Sequence, residues 1–207
     1  SNDIYAQLPP NTPLSSGVLN ATVTYRIGSA SVNRRLNVTD ALDNTKTGQS
    51  SAFAVNIGPY AGLLIVLPGE AYAAGAPTGK TGVPANQAIG TAFNIVTVRA
   101  VDAAFNTVVS ITDEVRITSN DLSAVLPANA SLVAGAKNTW PVTLNSASSS
   151  TTLTATSMVD ATKNYTTAGI VVLGASSIND FFRSAVVTGV WNNSSSWESS
   201  ARGVSGW

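Results

Sequence analysis

The chain of 207 residues contains neither cysteine nor histidine. Without cysteine it can form no disulfide, thiol nucleophile or cysteine-ligated zinc site, and without histidine it lacks the commonest general base and metal ligand. Charged residues make up only 11% of the sequence, and eleven basic residues balance eleven acidic residues with no run of one sign. This balance offers no electrostatic basis for binding a nucleic acid or an anionic membrane.

Long apolar segments and helical patterns are also missing. The longest apolar stretches, such as 61–68, are far shorter than the roughly 20 residues of a membrane-spanning helix. Hydrophobic residues nevertheless reach 44% of the composition, and they alternate with polar residues, as Val96, Val98 and Ala100 do. Such alternation is typical of half-buried strands, so the sequence predicts a folded all-β protein with no membrane insertion.

A seventeen-residue phrase occurs twice in the chain. SNDIYAQLPPNTPLSSG stands at 1–17 and SNDLSAVLPANASLVAG at 119–135, and nine of the seventeen pairs are identical. The match continues where LNVTDALDNTK at 36–46 resembles LTATSMVDATK at 153–163, an offset of 117 residues. A period of that length is a whole domain, so we expect an array of domains.

This period divides the chain into three parts. Residues 1–57 correspond to the second half of one repeat, residues 58–175 to one complete repeat, and residues 176–207 to the start of a further module or a strand-donating tail. Alternation and turn residues predict strands in the complete repeat at 63–67, 94–101, 107–111, 115–118, 140–144, 151–156 and 169–173. In the half repeat they predict strands at 18–27, 31–39 and 53–57. Seven strands in one repeat is the number of an immunoglobulin-like antiparallel β-sandwich, so the predicted fold is a tandem array of such sandwiches.

Four segments carry a resemblance to a known family: FNIVTVRAVDAAFNTVV at 93–109, VRITSND at 115–121, LVAGAKNTWPVTL at 132–144 and TLTATSMVD at 152–160. Their order resembles bacterial immunoglobulin-like repeats of the invasin and intimin type, with a strand, an Asp-x-x-x-Asn turn, a strand and a closing pair. The chain departs from that pattern in Phe105, where glycine commonly stands, and in a long Gly/Pro-rich insertion after Leu67. The resemblance implies an extracellular or cell-surface stalk, spacer or adhesive module without catalysis.

The polar residues suggest two roles. Asp102, Asp113 and Asp121 are candidate calcium ligands between tandem domains, since loop carboxylates are hard oxygen ligands. Aspartates are equally typical of turns, where they accept hydrogen bonds from nearby backbone N–H groups, and the repeated Ser-Asn-Asp at Asp3 and Asp121 favours that role. The sequence has no repeated carboxylate pair and no nucleophile elbow, so we expect no enzyme activity and no cofactor. Candidate glycosylation triplets begin at Asn20, Asn37, Asn129, Asn164, Asn192 and Asn193.

The segment 181–191 is apolar on both faces of a predicted strand, and such a strand requires burial on both sides. Its candidate self-assembly residues are Phe181, Phe182, Val186, Val190 and Trp191. One hypothesis is that this tail supplies a strand to the incomplete domain of the next molecule and so builds a head-to-tail filament. The other is that the chain is part of a longer repeat protein whose missing strands lie upstream.

These features predict a non-catalytic extracellular structural protein, a subunit of a surface fibre or stalk whose partners are copies of itself or neighbouring repeats. The alternative is an adhesin or carbohydrate-binding module of a larger secreted protein, with glycans or host cell-surface ligands as partners. Exposed aromatic rings would carry that recognition, and the candidates are Trp191, Trp197 and Trp207.

Overall fold

The computed structural model describes residues 1–174, 180–184 and 197–201 of the chain. These residues form β-strands joined by turns and bends, with no helix among them. Within this part of the chain there is accordingly no helix long and apolar enough to cross a membrane. The all-β class predicted from the alternating pattern is confirmed.

The described residues form eighteen strands, numbered in chain order. The first 57 residues contain β1 (Ser29–Arg34), β2 (Asn37–Thr39), β3 (Thr47–Gln49) and β4 (Phe53–Val55). The next strands are β5 (Gly62–Val66), β6 (Glu70–Tyr72), β7 (Lys80–Gly82), β8 (Gln87–Ala88), β9 (Ala92–Val101) and β10 (Glu114–Ser119). They are followed by β11 (Ala130–Ser131), β12 (Ala136–Thr143), β13 (Ser148–Thr151), β14 (Leu153–Ser157), β15 (Asn164–Thr166) and β16 (Ile170–Leu173). The last two are β17 (Asp180–Ser184) and β18 (Trp197–Ala201).

Two antiparallel sheets share one core in the part of the chain from 62 to 173. One sheet has the strand order β11–β10–β14–β15 and the other β12–β9–β5. Strand β14 shows why the sheets stack, because its residues alternate between buried and half-buried and so turn one face to the core. A short sheet of β13, β16 and β8 extends the arrangement, with β8 parallel to β16. The architecture is sandwich-like.

Aliphatic side chains and one tryptophan fill this core. Its buried residues come from both sheets, and all of them lie between Leu63 and Val172. Trp140 is completely enclosed, and its Nε1 donates to the Lys137 carbonyl at 3.1 Å. Burying one large apolar side chain contributes about 1.5–3 kcal/mol. Residues 58–174 therefore have a core of their own.

Strand β5 is buried on both faces. Alternate side chains enter the main core, whereas Leu64 and Val66 enter a second, smaller cluster. Tyr72 of β6 and Phe105 cover this second cluster, and β6 pairs with β7 in a hairpin. The Gly/Pro-rich insertion after Leu67, where the sequence predicts no strand, thus contains a regular hairpin. The second apolar face of β5 requires a cover, and the hairpin supplies part of it.

Most strands predicted for the complete repeat are present, with ends shifted by a few residues. The strand predicted at 151–156 is divided at Thr152 into β13 and β14. The strand predicted at 107–111 is wrong. Thr107 alone makes a bridge, to Val101, and the Ile111 N–H then donates to the Val108 carbonyl at 3.2 Å, which closes a turn.

Strand pairing in the first 57 residues consists of β1 with β4 and β2 with β3. The strand predicted at 18–27 is wrong, since this segment makes only single bridges, Ser15 with Val18 and Gln7 with Thr24. Its counterpart in the later part of the chain is β12, which pairs with β9 over most of its length. Residues 1–57 contain no equivalent of β9, so the segment has no partner that would extend it into a strand.

The tail is described in two short pieces. Strands β17 and β18 pair as an antiparallel hairpin, with Phe181 opposite Ser200 and Phe182 opposite Ser199. The strand predicted for 181–191 is thus described as far as Ser184. The remaining candidate residues of the tail lie outside the described residues: Val186, Val190, Trp191, Asn192, Asn193 and Trp207.

Candidate functional site: a junction at Asn106

The Asp-x-x-x-Asn turn at 102–106 is a closed, hydrogen-bonded loop at the end of β9. Asp102 Oδ1 accepts hydrogen bonds from the backbone N–H groups of Ala104 and Asn106, both at 2.8 Å. Phe105 has a φ of 61°, a left-handed conformation that glycine adopts more easily. The Tyr72 hydroxyl donates to the Phe105 carbonyl at 2.7 Å, which helps to hold this conformation. Hydrogen bonds therefore hold the turn although Phe105 carries a side chain at a positive φ.

The Asn106 side chain joins this turn to the first part of the chain. Its Oδ1 accepts from the Gly28 N–H at 2.8 Å, and its Nδ2 donates to the Arg26 carbonyl at 2.9 Å. The same Nδ2 donates to Asp102 Oδ2 at 3.0 Å, and that oxygen also accepts from the Gly58 N–H at 2.9 Å. One buried amide thus uses both its donor and its acceptor to connect two distant segments of sequence.

The two backbones approach closely at this junction. A Cβ atom on Gly75 would lie 2.6 Å from Ile27 Cγ1, and one on Gly28 would lie 2.7 Å from Ile57 Cγ1. Arg26 Nε donates to the Gly75 carbonyl at 2.7 Å. A side chain at Gly75 would push residues 73–76 away from Ile27, and one at Gly28 would press on Ile57 within the first region, so glycine at both positions permits the dense contact.

The loop on the first side of the junction is held by the carboxylate of Asp3. Its Oδ2 accepts from the backbone N–H groups of Arg26 and Ile27 at 2.7 and 2.8 Å, and its Oδ1 accepts from the Tyr5 N–H at 2.9 Å. Burial would raise the pKa of Asp3, but these bonds and the charge of Arg34 together lower it below its usual value. The ionised carboxylate therefore fixes the loop.

A matching arrangement surrounds Asp121. Its Oδ2 accepts from the backbone N–H groups of Asn145 and Ser146 at 2.7 and 3.0 Å, and its Oδ1 accepts from the Ser123 N–H at 3.1 Å. The hydroxyls of Ser123 and Ser146 add two bonds at 2.8 Å. Burial would raise the pKa of Asp121, yet these donors lower it far below its usual range. Asp121 holds the loop 145–147 as Asp3 holds the loop 26–28.

Strand pairing recurs with a constant offset as well. Val38 faces Gly48 in the β2–β3 pair, and Ala155 faces Tyr165 in the β14–β15 pair, each position 117 residues later. The β1–β4 pair matches β13–β16 with the same offset at Arg34 and Phe53, whereas Ser29 corresponds to Ser148, 119 residues later, and both ladders contain an irregular step. The two regions differ in burial: Leu14 is 64% exposed, whereas Leu132, its counterpart in the repeated phrase, is 1% exposed.

The candidate calcium ligands act as hydrogen-bond acceptors. Asp102 and Asp121 accept the bonds given above, and Asp113 Oδ2 accepts from the Ser157 hydroxyl at 2.6 Å. In the part of the chain that the structure describes, no three acidic, histidine or cysteine side chains come together to hold a metal ion. Four candidate glycosylation residues are exposed: Asn20, Asn37, Asn129 and Asn164.

Sequence reasoning identified the turn but not its partners. The Asp-x-x-x-Asn spacing singled out Asp102 and Asn106, whereas nothing in the pattern pointed to Gly28 or Gly75. The repeat offers one indirect signal for Gly28. This residue lies on the loop 26–28, which is held by Asp3, the aspartate of the repeated phrase.

Comparison of the chain with models of known protein families, with curated proteins and with solved structures finds no match in any of the three. The function is therefore inferred from the geometry of the chain itself.

Proposed function

We propose that the protein is a non-catalytic, extracellular structural protein in which immunoglobulin-like β-sandwich modules follow one another in tandem as a surface stalk or fibre subunit. The observation that carries this proposal is the junction at Asn106. Hydrogen bonds and close glycine contacts connect two β regions there without a flexible linker, and Gly58, where the second region begins, is itself bonded to the turn. A stiff connection of this kind lets successive modules add length without free bending.

Exposed apolar positions in 1–57 support the tandem arrangement. Leu14 and Val38 are 64% and 63% exposed, whereas their counterparts Leu132 and Ala155 are buried. Strand β14 pairs with β10 on one edge, and the equivalent edge of β2 has no partner strand among the described residues. A leading half-module with strands like those of 58–118 would cover this face and pair this edge.

The junction is tested by replacing Asn106 with alanine in the full chain. Loss of the bond to Gly28 is worth about 1 kcal/mol or more, so we expect the Gly28 amide to exchange with solvent several-fold faster. Hydrogen exchange followed by NMR measures this rate, and residual dipolar couplings measure whether the two regions keep one orientation. The matched control is Asn138→Ala, an exposed asparagine of β12. Unchanged exchange and orientation in Asn106→Ala would mean that Asn106 does not hold the junction.

The half-module is tested by completion. Placing a copy of residues 58–118 directly before Ser1 supplies counterparts of β5, β9 and β10. We expect the methyl groups of Leu14 and Val38 to become protected from a soluble paramagnetic probe, and small-angle X-ray scattering to report a longer, stiffer particle. If the added segment leaves both methyl groups exposed, residues 1–57 are not the second half of such a module.

Strand donation by the tail of a neighbouring molecule is the other way in which the exposed apolar face of residues 1–57 could be covered. Negative-stain electron microscopy of the full chain beside a chain ending at Ser176 separates the two sources. Long uniform fibres from the full chain alone would assign the missing strands to the tail of a neighbouring molecule. Monomers from both would assign them to a leading half-module.

The proposed location is tested separately. Protease added to intact cells that produce the protein should remove it, while a cytoplasmic marker survives. Survival of the protein under that treatment would overturn the extracellular assignment without bearing on the modular architecture.

A further inference from the structure

The loop 145–147 presents the same pair of backbone groups that Asn106 binds in the loop 26–28. At the junction, the Arg26 carbonyl accepts from the Asn106 amide and the Gly28 N–H donates to it. The corresponding groups are the Asn145 carbonyl and the Ala147 N–H, since Asp121 holds Asn145 and Ser146 as Asp3 holds Arg26 and Ile27. Among the described residues, neither of these two groups has a hydrogen-bond partner.

The surroundings of the second loop leave room for a partner. At the first loop Ile57 lies against Gly28, and a Cβ atom on Gly28 would come within 2.7 Å of Ile57 Cγ1. At the second loop Ala147 stands at the position of Gly28, and Gly174 stands at the position of Ile57. The larger side chain is therefore on the loop, and the smaller residue stands opposite it. Beside it lies an open depression of about 510 Å³, lined by 120–123, 146–148 and Thr151. Asp121 thus holds the second loop as Asp3 holds the first, but no described residue is hydrogen-bonded to the Asn145 carbonyl or to the Ala147 N–H.

We propose that the loop 145–147 is a second docking site, which binds the side-chain amide of an asparagine at the end of an Asp-x-x-x-Asn turn. The occupant is the Asp102–Asn106 end of a second copy of the 58–174 module whose own turn is not already engaged. This proposal rests on the modular arrangement proposed above. It adds the surface by which the complete module receives the next one.

The chemistry of the loop selects this occupant. A carbonyl and an N–H two residues apart, neither with a described partner, match a group with a donor and an acceptor on one carbon, as in the amide of asparagine or glutamine. The Asp121 carboxylate beside them is already satisfied by five N–H and O–H donors, so it offers little to a cation. The tail of the same chain does not fit, since 180–184 reads DFFRS, with serine where the turn has asparagine.

The test inserts a second copy of residues 58–174 between Gly174 and Ala175, so that the copy follows Gly174 as Gly58 follows Ile57. The rest of the chain is retained. We expect the Ala147 amide to exchange at least about tenfold more slowly than in the original chain, because covalent linkage gives the turn a high effective concentration at the loop. Hydrogen exchange by NMR measures this rate.

The matched control changes Asn106 to alanine in the inserted copy only. Loss of the protection at Ala147 in that variant supports the docking site. Ala147 that is unprotected in the extended chain, or equally protected with and without the inserted asparagine, overturns it.

A second experiment, a titration, does not depend on whether the inserted copy folds within the longer chain. Isolated 58–174, which has a core of its own and a turn freed of residues 1–57, is titrated into the isotope-labelled full chain. Shifts at Ala147 and Ser146 that disappear with Asn106→Ala in the added module support the proposal. Shifts elsewhere alone, or none at millimolar concentration, count against it.

Failure here is distinguishable from failure of the proposed function. The Gly28 amide in the same extended chain reports on the original junction, and it should remain protected whatever happens at Ala147. Protection at Gly28 with none at Ala147 would reject the second docking site and leave the first junction intact.

Discussion

Residues 1–57 and 119–174 make matching hydrogen bonds through Asp3 and Asp121 but bury different fractions of their apolar side chains. Asp3 and Asp121 accept from equivalent backbone groups, and β2–β3 pairs in the register of β14–β15. Leu132 lies in a core, whereas Leu14 faces solvent. The geometry of these loops is thus set by hydrogen bonds from one carboxylate within each region, while burial of the apolar side chains requires the strands β5, β9 and β10.

Leucine truncation should separate the two regions most strongly. Leu132→Ala removes a fully buried side chain and leaves a cavity, so it should lower the free energy of unfolding by about 2–5 kcal/mol. Leu14→Ala removes an exposed side chain and should change it by no more than about 0.5 kcal/mol. Urea unfolding followed by tryptophan fluorescence measures both, since Trp140 lies in the core.

A large loss from Leu14→Ala would contradict this comparison, because it would mean that residues 1–57 already have a core. The same two substitutions can also be compared in a chain with a copy of residues 58–118 placed before Ser1. In that completed chain, Leu14→Ala should become costly, approaching the effect of Leu132→Ala.

Replacement of the two aspartates should affect the regions more equally. Asp121→Asn and Asp3→Asn each replace a carboxylate oxygen by an NH₂ group that faces backbone donors. Each should cost about 2 kcal/mol, because hydrogen bonds to charged groups contribute about 1.5–3 kcal/mol. Hydrogen exchange at the N–H groups of Ser146 and Ile27 measures the local loss. If only one of the two loops opens, the matching bonds do not have matching energies.

The parts that could be predicted from sequence are those that depend on local patterns. Alternation marked β9, β10 and β14, and the repeated Ser-Asn-Asp indicated the turns at Asp3 and Asp121. Two errors had non-local causes. The β6–β7 hairpin forms in a Gly/Pro-rich segment because it covers the second face of β5, and 18–27 is not a strand because it lacks a partner. The contact of Asn106 with Gly28 spans 78 residues, so no local pattern contains it.

Acid should weaken both loops in the same pH range. The pKa values of Asp3 and Asp121 are lowered in the folded chain. Below about pH 4 the unfolded state therefore binds more protons than the folded state, and the free energy of unfolding falls as the pH falls through this range. Urea unfolding at pH 2.5 to 6 measures the slope. Asp121→Asn should flatten it more than Asp3→Asn, since the pKa of Asp121 is lowered further.

The smallest effect is expected at alkaline pH, from a tyrosine in the complete region. Burial, with the charges of Asp113 and Asp160, raises the pKa of Tyr60 to about 12. The unfolded state loses this proton near pH 10, so the Tyr60 contribution to stability is present below pH 10 and is lost between about pH 10 and 12. Tyr60→Phe should remove this part of the alkaline slope. Ultraviolet absorbance of tyrosinate in the original chain and in Tyr60→Phe measures the titration directly. If Tyr60 ionises near pH 10, residues 58–60 are open to water, unlike the core that they border.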